Sequence, residues 1–277
     1  MTFISYAQNF EDVMLWRALK HVPQGFYIDV GAAWPDEDSV TKAFYDCGWR
    51  GINVEPNPVF FRQLQEHRPH DVNLREAIGL HEGVATMNYV VDTGLSTLDD
   101  TIAEKHQSEG RHIERQEVRV TTLEMLWNKC VPDHKTVHFL KVDVEGFEEA
   151  VLRGNNWMKN RPWIVVVEAT LPMSQVECHA AWEPILLSAS YLLAYSDGLN
   201  RFYVAHERSE LLNAFKHPPN IFDNFTSIRT QRAETRAGTA EAQLADILGS
   251  KTWQLTAPLR WAIRQFRILQ KKFGSTQ

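Results

Sequence analysis

Along most of the chain, short apolar runs alternate with amphipathic stretches, and several of the runs end in a carboxylate. Phe26–Val30 is too short for a helix and reads as a buried strand, as do residues 52–55, 72–78, 138–143 and 163–167. Residues 9–19 set Val13, Trp16 and Leu19 on one helical face, with Glu11 and Asp12 where a helix N-terminus favours acids. Residues 40–45 and 58–66 predict further helices, as does a segment closing near Gly154. Residues 85–91 and 118–122 alternate like added strands, and the polar residues 99–117 predict a loop or lid between them. Residues 191–195 and 201–205, joined through Ser196-Asp197-Gly198-Leu199-Asn200, predict a closing hairpin. This order predicts an α/β fold: a mostly parallel, Rossmann-like sheet with an antiparallel C-terminal hairpin. Pro218-Pro219 marks its end, so residues 1–223 are expected to form the sheet domain and residues 224–277 a basic helical C-terminal tail.

A chain of 277 residues buries a core large enough to need no staples. Its three cysteines, Cys47, Cys130 and Cys178, lie far apart without metal-binding spacing, which predicts reduced thiols and a cytoplasmic setting. The first residues carry neither the basic patch nor the apolar core of a signal peptide, and no apolar run is long enough to span a bilayer. The net charge of −6 is uneven: from Asn224 onward nine basic residues face three acidic ones, while the remainder has 20 against 32. A body of net charge −12 argues against nucleic acid as a partner.

In a doubly wound sheet, ligands sit at the carboxyl ends of the strands where the strand order reverses. Here that rim bears Asp29, Glu55 and the turn Ala32-Ala33-Trp34-Pro35-Asp36-Glu37-Asp38, which has no Lys or Arg. Such a rim repels a pyrophosphate and attracts a sulfonium and an ammonium, pointing to S-adenosyl-L-methionine. A nicotinamide-dependent oxidoreductase would want a complete Gly-x-Gly-x-x-Gly turn, which Asp29-Val30-Gly31-Ala32-Ala33-Trp34 does not supply. A non-catalytic scaffold that works through its basic tail is a third reading.

Six motifs occur in order: Tyr6-Ala7-Gln8-Asn9-Phe10-Glu11-Asp12, Tyr27-Ile28-Asp29-Val30-Gly31-Ala32, Gly48-Trp49-Arg50-Gly51-Ile52-Asn53-Val54-Glu55-Pro56, Gly94-Leu95-Ser96-Thr97-Leu98, Phe139-Leu140-Lys141-Val142-Asp143-Val144-Glu145-Gly146 and Val165-Val166-Val167-Glu168-Ala169-Thr170. From about Ser5 to about Phe225 they resemble the FkbM family of S-adenosylmethionine-dependent methyltransferases. The resemblance implies a class I methyltransferase sheet. It also implies O-methylation of a sugar hydroxyl in the assembly of a bacterial surface glycan, such as an O-antigen or other polysaccharide, or of a natural product. Position and resemblance together put the Gly31 backbone against the methionine moiety, with Asp29 holding its ammonium directly or through water. They give Glu55 both ribose hydroxyls and put Ala77 and Ile78 at the adenine. Gln8, Ala32 and Asp143 complete the expected cofactor set.

Asp143, Glu145 and Glu168 should converge, since in this fold the fourth strand lies between the first and the fifth. A carboxylate beside an acceptor hydroxyl can take its proton as the methyl arrives. Mutual repulsion would raise at least one of the three pKa values unless a cation intervenes, and Lys141 shares a strand face with Asp143. Alternatively Lys141 and Asp143 form a structural pair and Glu145 caps the next helix, or the acids bind Mg²⁺. Catalysis without metal is the expectation. His106 and His112, in the polar segment, are further candidate bases or else solvated side chains. Ser96 and Thr97 face the acceptor or cap the next helix, and Trp34 and Trp182 stack on a sugar or pack in the core.

In the tail, Leu259, Ala262, Ile263, Phe266, Leu269 and Phe273 follow helical spacing, with Arg260, Arg264, Arg267 and Lys271 mostly on other faces. Residues 250–260 resemble a tail segment of bacterial glycan-assembly proteins. Such a helix docks on anionic lipid at the inner face of a membrane, binds a glycan-assembly partner, pairs in a homo-oligomer or packs back on its own domain.

Overall fold

The computed structural model describes residues 2–90, 93 and 95–273, the last six as backbone alone, so Val91, Gly94 and the side chains of Leu269, Lys271 and Phe273 lie outside the description. Two compact units are present, Met1–Thr226 and Ser227–Gln277.

Among the described residues the first unit holds the strands β1 (Phe3–Ser5), β2 (Phe26–Val30), β3 (Arg50–Val54), β4 (Val72–Leu74), β5 (Ala77–Ile78), β6 (Gly83–Val90), β7 (Ile113–Thr121), β8 (Phe139–Val142), β9 (Ile164–Glu168), β10 (Tyr191–Ser196), β11 (Asn200–Ala205) and, running one residue past its end, β12 (Phe225–Ser227). Its α-helices are α1 (Glu11–Leu19), α2 (Lys42–Asp46), α3 (Pro58–His67), α4 (Asp100–Ser108), α5 (Leu123–Cys130), α6 (Glu148–Arg153) and α7 (Glu183–Ser188). The main sheet runs β10-β11-β9-β8-β2-β3-β4. Strands β4, β3, β2, β8 and β9 pair in parallel, and β11 joins β9 antiparallel after the chain has gone out to the edge at β10. This is the mostly parallel sheet with an antiparallel C-terminal hairpin that the apolar pattern predicts. Strand order reverses between β2 and β8, whose registers set Asp29 beside Lys141.

Continuous apolar runs suit a sheet covered on both faces. Ile28, Val30, Val165 and Val167 belong to one core layer, while Tyr27, Ile164 and Val166 belong to the other. The Tyr27 hydroxyl donates to Asp71 at 2.5 Å. Its ring lies over Gly51, where a Cβ would come within 2.2 Å of it.

Two expectations need correction. Residues 72–78 do not make one strand: after β4 the chain leaves the main sheet at Arg75 and Glu76, and β5 pairs in parallel with β7 in a separate sheet ordered β5-β7-β6. Residues 99–117 are not a loop, because they form α4 and the first half of β7. Asp99 accepts from the amides of Thr101 and Ile102 at 2.8 and 3.2 Å, capping α4, and Ala103 and His106 are buried on its inner face. The exposed, charged half of β7 is held by pairing with β6 rather than by burial.

The second unit contains α8 (Ile228–Gly249), α9 (Lys251–Leu255) and α10 (Ala257–Phe273). Ser227 caps α8 and Ser250 caps α9. Leu259, Trp261, Ile263 and Phe266 are exposed, and the Arg260 guanidinium lies 3.7 Å from the centre of the Trp253 ring.

Gly31 ends β2 at φ +79°, and a Cβ there would come within 1.8 Å of the Asp143 carbonyl oxygen. Gly31→Ala should therefore destabilise the protein by at least about 2 kcal/mol, the left-handed backbone alone costing about 1–2 kcal/mol. Urea unfolding measures this. An alanine variant as stable as the parent would show that β8 can retreat from β2 without loss.

Candidate active site

Lys141 occupies the point where the strand order reverses. Its Nζ donates to the Gly31 carbonyl at 2.5 Å and lies 3.4 Å from Asp29 Oδ1 and 3.3 Å from Asp143 Oδ2. Burial opposes the charge, but Asp143 and Asp29 outweigh it and hold the ammonium above its ordinary pKa. Lys141 is thus a fixed cation and not a proton acceptor. It is both the structural partner of Asp143 and a cation among the rim acids.

A cavity of about 280 Å³ opens above it. Gln8, Gly31, Ala32, Glu55, Ala77, Ile78, Lys141, Asp143 and Glu145 are among the residues that line it. Asp29 does not line it. That side chain is buried below, with Oδ2 accepting from the Thr41 hydroxyl at 2.7 Å, which corrects the expectation that Asp29 meets a ligand ammonium directly. Gly31 lines the cavity, and its missing side chain also makes room for the backbone of Asp143.

Buried carboxylates hold the loops that carry these residues. Glu55 accepts from the Ala33 amide at 2.8 Å and from the Asn57 amide at 2.7 Å, and burial raises its pKa to about 7. Each of its oxygens keeps a second lone pair for another donor. Asp12 accepts from the Ser5 hydroxyl and from the amides of Tyr6 and Ala7, and Glu11 accepts from the Asn9 amide, which fixes the turn presenting Gln8. The turn after β2 is clamped from beneath by Arg68, fully buried, which donates to the Pro35 carbonyl and to the hydroxyls of Ser39 and Thr41. Nothing in the sequence marks Arg68, since an arginine at the end of an amphipathic helix ordinarily faces water.

Asp143, Glu145 and Glu168 converge as their strand positions predict, each offering one oxygen within 4.8 Å of the others. Glu168 stands at the end of β9 and lines neither this cavity nor its neighbour. Burial first, and then the neighbouring carboxylates led by Asp143, push both Glu145 and Glu168 well above the usual range. Among the described residues, one oxygen of each has no hydrogen-bond partner. Glu145 does not cap the following helix. That helix has no side-chain cap; Glu148, its first residue, instead reaches back, one oxygen accepting from the amides of Val144 and Gly146 at 3.1 Å each, while Glu145 takes a left-handed backbone at φ 54° and lines the cavity. Thr97 donates to the Glu145 carbonyl at 2.8 Å, and Ser96 and Trp34 line the cavity. His106 and Trp182 are buried and line a second cavity of about 460 Å³, whereas His112 is exposed.

Residues 29–193 match the methyltransferase FkbM domain. The chain belongs to the FkbM methyltransferase family. A solved TehB-like SAM-dependent methyltransferase from Corynebacterium glutamicum ATCC 13032 Kitasato is 8% identical over 70% of this chain and 87% of that one, with a TM-score of 0.38. No curated protein matches the sequence.

As a member of this family the protein is a methyltransferase with S-adenosyl-L-methionine as its cofactor, which sets aside the nicotinamide-dependent reading. The cavity of this FkbM methyltransferase suits a cationic ligand with a flat apolar part. Asp38, Glu55, Glu76, Asp143 and Glu145 line it, and among the described residues Lys141 is the one Lys or Arg that does. Ala77, Ile78, Met87 and Phe147 supply an apolar side.

The role of Glu148 is separable from its charge. Glu148→Gln keeps an oxygen for the two amides and should leave stability near that of the parent. Glu148→Ala orphans both amides and should cost about 1–3 kcal/mol. Thermal and urea unfolding of the two variants check this, and equal losses in both would assign the effect to charge instead.

Proposed function

We propose that this FkbM methyltransferase transfers a methyl group from S-adenosyl-L-methionine to a sugar hydroxyl during assembly of a bacterial surface polysaccharide, in the cytoplasm or at the inner face of the membrane. The observation that carries the reading is the group of rim carboxylates beside the cofactor cavity, with oxygens on Glu145 and Glu168 left unpartnered among the described residues. A sugar hydroxyl is a poor nucleophile, so its proton must leave as the new bond forms, and a carboxylate of raised pKa is matched to accept it. The cofactor supplies an electrophilic methyl on a sulfonium. Glu55 accepts the ribose hydroxyls, Ala77 and Ile78 flank the adenine, and Gln8, Gly31, Ala32 and Asp143 take the methionine end. Glu145, in the cavity wall, removes the acceptor proton, and Glu168 and Asp143 hold it in place.

Transfer of labelled methyl from S-adenosylmethionine to a panel of neutral methyl glycosides tests the activity. Alanine at Glu145 should lower turnover by about 10²–10⁴-fold in a folded protein. Added chelator should leave the rate unchanged, and loss of activity in chelator would give the three acids a divalent metal instead. A protein that binds the cofactor but transfers no methyl to any hydroxyl acceptor would favour the scaffold reading.

Glu55 links cofactor binding to pH. With a folded pKa of about 7, it accepts hydrogen bonds as a full carboxylate only above that value. Affinity for S-adenosylmethionine should rise between about pH 6 and 8, with protons released on binding because a bound cation lowers the Glu55 pKa. Glu55→Ala should weaken binding by about 1.5–3 kcal/mol. Calorimetry in buffers of different ionisation enthalpy reads both effects, and a pH-independent affinity would remove Glu55 from the cofactor.

The Ser227–Gln277 unit supports a separate docking role, on anionic lipid, on a glycan-assembly partner or in a homo-oligomer. Exposed Leu259, Trp261, Ile263 and Phe266 share α10 with Arg260, Arg264 and Arg267. Among the described residues no helix is long and apolar enough to cross a membrane. A protein ending at Ser227 should bind cofactor normally. It should lose flotation with anionic liposomes if lipid is the partner, or drop in oligomer mass if a second copy is. Unchanged behaviour in both assays would remove the docking role.

A further inference from the structure

Beside the cofactor cavity, and within the same Met1–Thr226 unit, lies the second cavity, of about 460 Å³. Three chain segments supply residues to both. Leu98, Glu145 and Met173 line the first cavity, and their neighbours Asp99, Gly146 and Pro172 line the second. Gly146, at φ +96°, keeps the dividing segment to bare backbone at the point where a Cβ would come within 2.3 Å of Ile102.

Among the described residues, two buried polar side chains of this second cavity, His106 and Trp182, are left unsatisfied. His106 is 1% exposed, and among the described residues neither ring nitrogen has a hydrogen-bond partner. Glu109 is the nearby carboxylate, 3.7 Å from Nδ1 and beyond hydrogen-bond reach. Burial lowers the imidazole pKa, so at neutral pH the ring is uncharged and offers one donor and one acceptor. Trp182 is 2% exposed and, among the described residues, its indole N–H has no hydrogen-bond partner beyond a weak interaction with the thiol of Cys178, a poor acceptor. Buried polar groups are nearly always paired, so two such side chains in one cavity point to a ligand that completes them. Ile102, Leu171 and Pro172 add apolar surface. Of the charged groups, Asp99, Glu148 and Glu149 outnumber Lys105, which disfavours a phosphate or a uronate.

We infer that the second cavity seats the methyl acceptor as a neutral polyhydroxylated ring, with His106 and Trp182 as positioning residues that hydrogen-bond its hydroxyls. The apolar side chains cover the C–H face of that ring, and the three shared segments bring its edge to Glu145. The inference deepens the sugar O-methylation proposed above and rests on it.

The full-length protein with ¹⁵N-labelled tryptophan, saturated with S-adenosylhomocysteine, is titrated with the methyl glycosides of glucose, galactose, mannose and rhamnose. Trp182→Phe assigns the Trp182 indole signal. At least one glycoside should shift that signal. His106→Leu should weaken the same glycoside by about tenfold while leaving S-adenosylhomocysteine affinity unchanged, and His106→Gln, which restores a donor and an acceptor, should recover part of it. If no glycoside moves the Trp182 indole, or if His106→Leu binds the responding glycoside as tightly as the parent, the assignment is overturned. Because the readout is binding, a glycoside that occupies the cavity but is never methylated leaves the seat in place and counts against the O-methylation reading. Methylation of a glycoside with an unchanged KM in His106→Leu does the reverse.

Discussion

One buried ammonium holds together the two central strands from which the sheet grows in opposite directions. Lys141 reaches from β8 to the Gly31 carbonyl just past the end of β2 and lies between Asp29 and Asp143. Without that cation, the buried Asp29 carboxylate would have only a second carboxylate, Asp143, beside it, and an unpaired buried charge is among the costliest features a fold can carry. With it, one of those two negative charges is offset, and the cavity keeps an acidic lining from Asp143, Glu55, Glu145 and the turn after β2. The closeness of β2 and β8 at Gly31 and the cationic preference of the cavity therefore have the same origin.

The loops around this cavity share one device. In each, a buried carboxylate accepts backbone amides that no strand or helix satisfies: Asp12 for the turn carrying Gln8, Glu55 for the turns after β2 and β3, Glu148 for the segment 144–146. Such acids are held by several short bonds and cannot swing toward a ligand. They set where the backbone runs, and the backbone in turn sets where Gly31 and Glu145 stand. Arg68 does the same from the opposite charge, donating where carbonyl and hydroxyl oxygens would otherwise be orphaned.

The parallel strands were readable because burial on both faces demands unbroken apolar runs, and Phe26–Val30 and Ile164–Glu168 have no other sensible fate. Glu145 and Glu168 were readable for the same reason, since they follow such runs. What failed was anything decided between elements rather than within one. The run 72–78 looks continuous, yet β4 finds its partner in β3 and β5 finds its own in β7. Residues 99–117 look polar because their pairing with β6 and their capping by Asp99 leave most of their side chains in water. Asp29 carries the expected chemical type at the rim but turns inward, and only packing decides whether a carboxylate points to a ligand or into the fold.

The small sheet β5-β7-β6 and α4 come from one uninterrupted stretch of chain, residues 77–121, set between β4 and α5. That stretch contributes Met87 and Leu98 to one cavity and Ile102 and His106 to the other, whereas Lys141, Glu55 and Gly31 belong to strands outside it or to their ends. The ionic framework around Lys141 and much of the lining of both cavities thus come from different segments. Substitutions or length changes confined to residues 77–121 can reshape both cavities without touching that framework, so divergence among descendants of this chain has a ready-made cassette in which to accumulate.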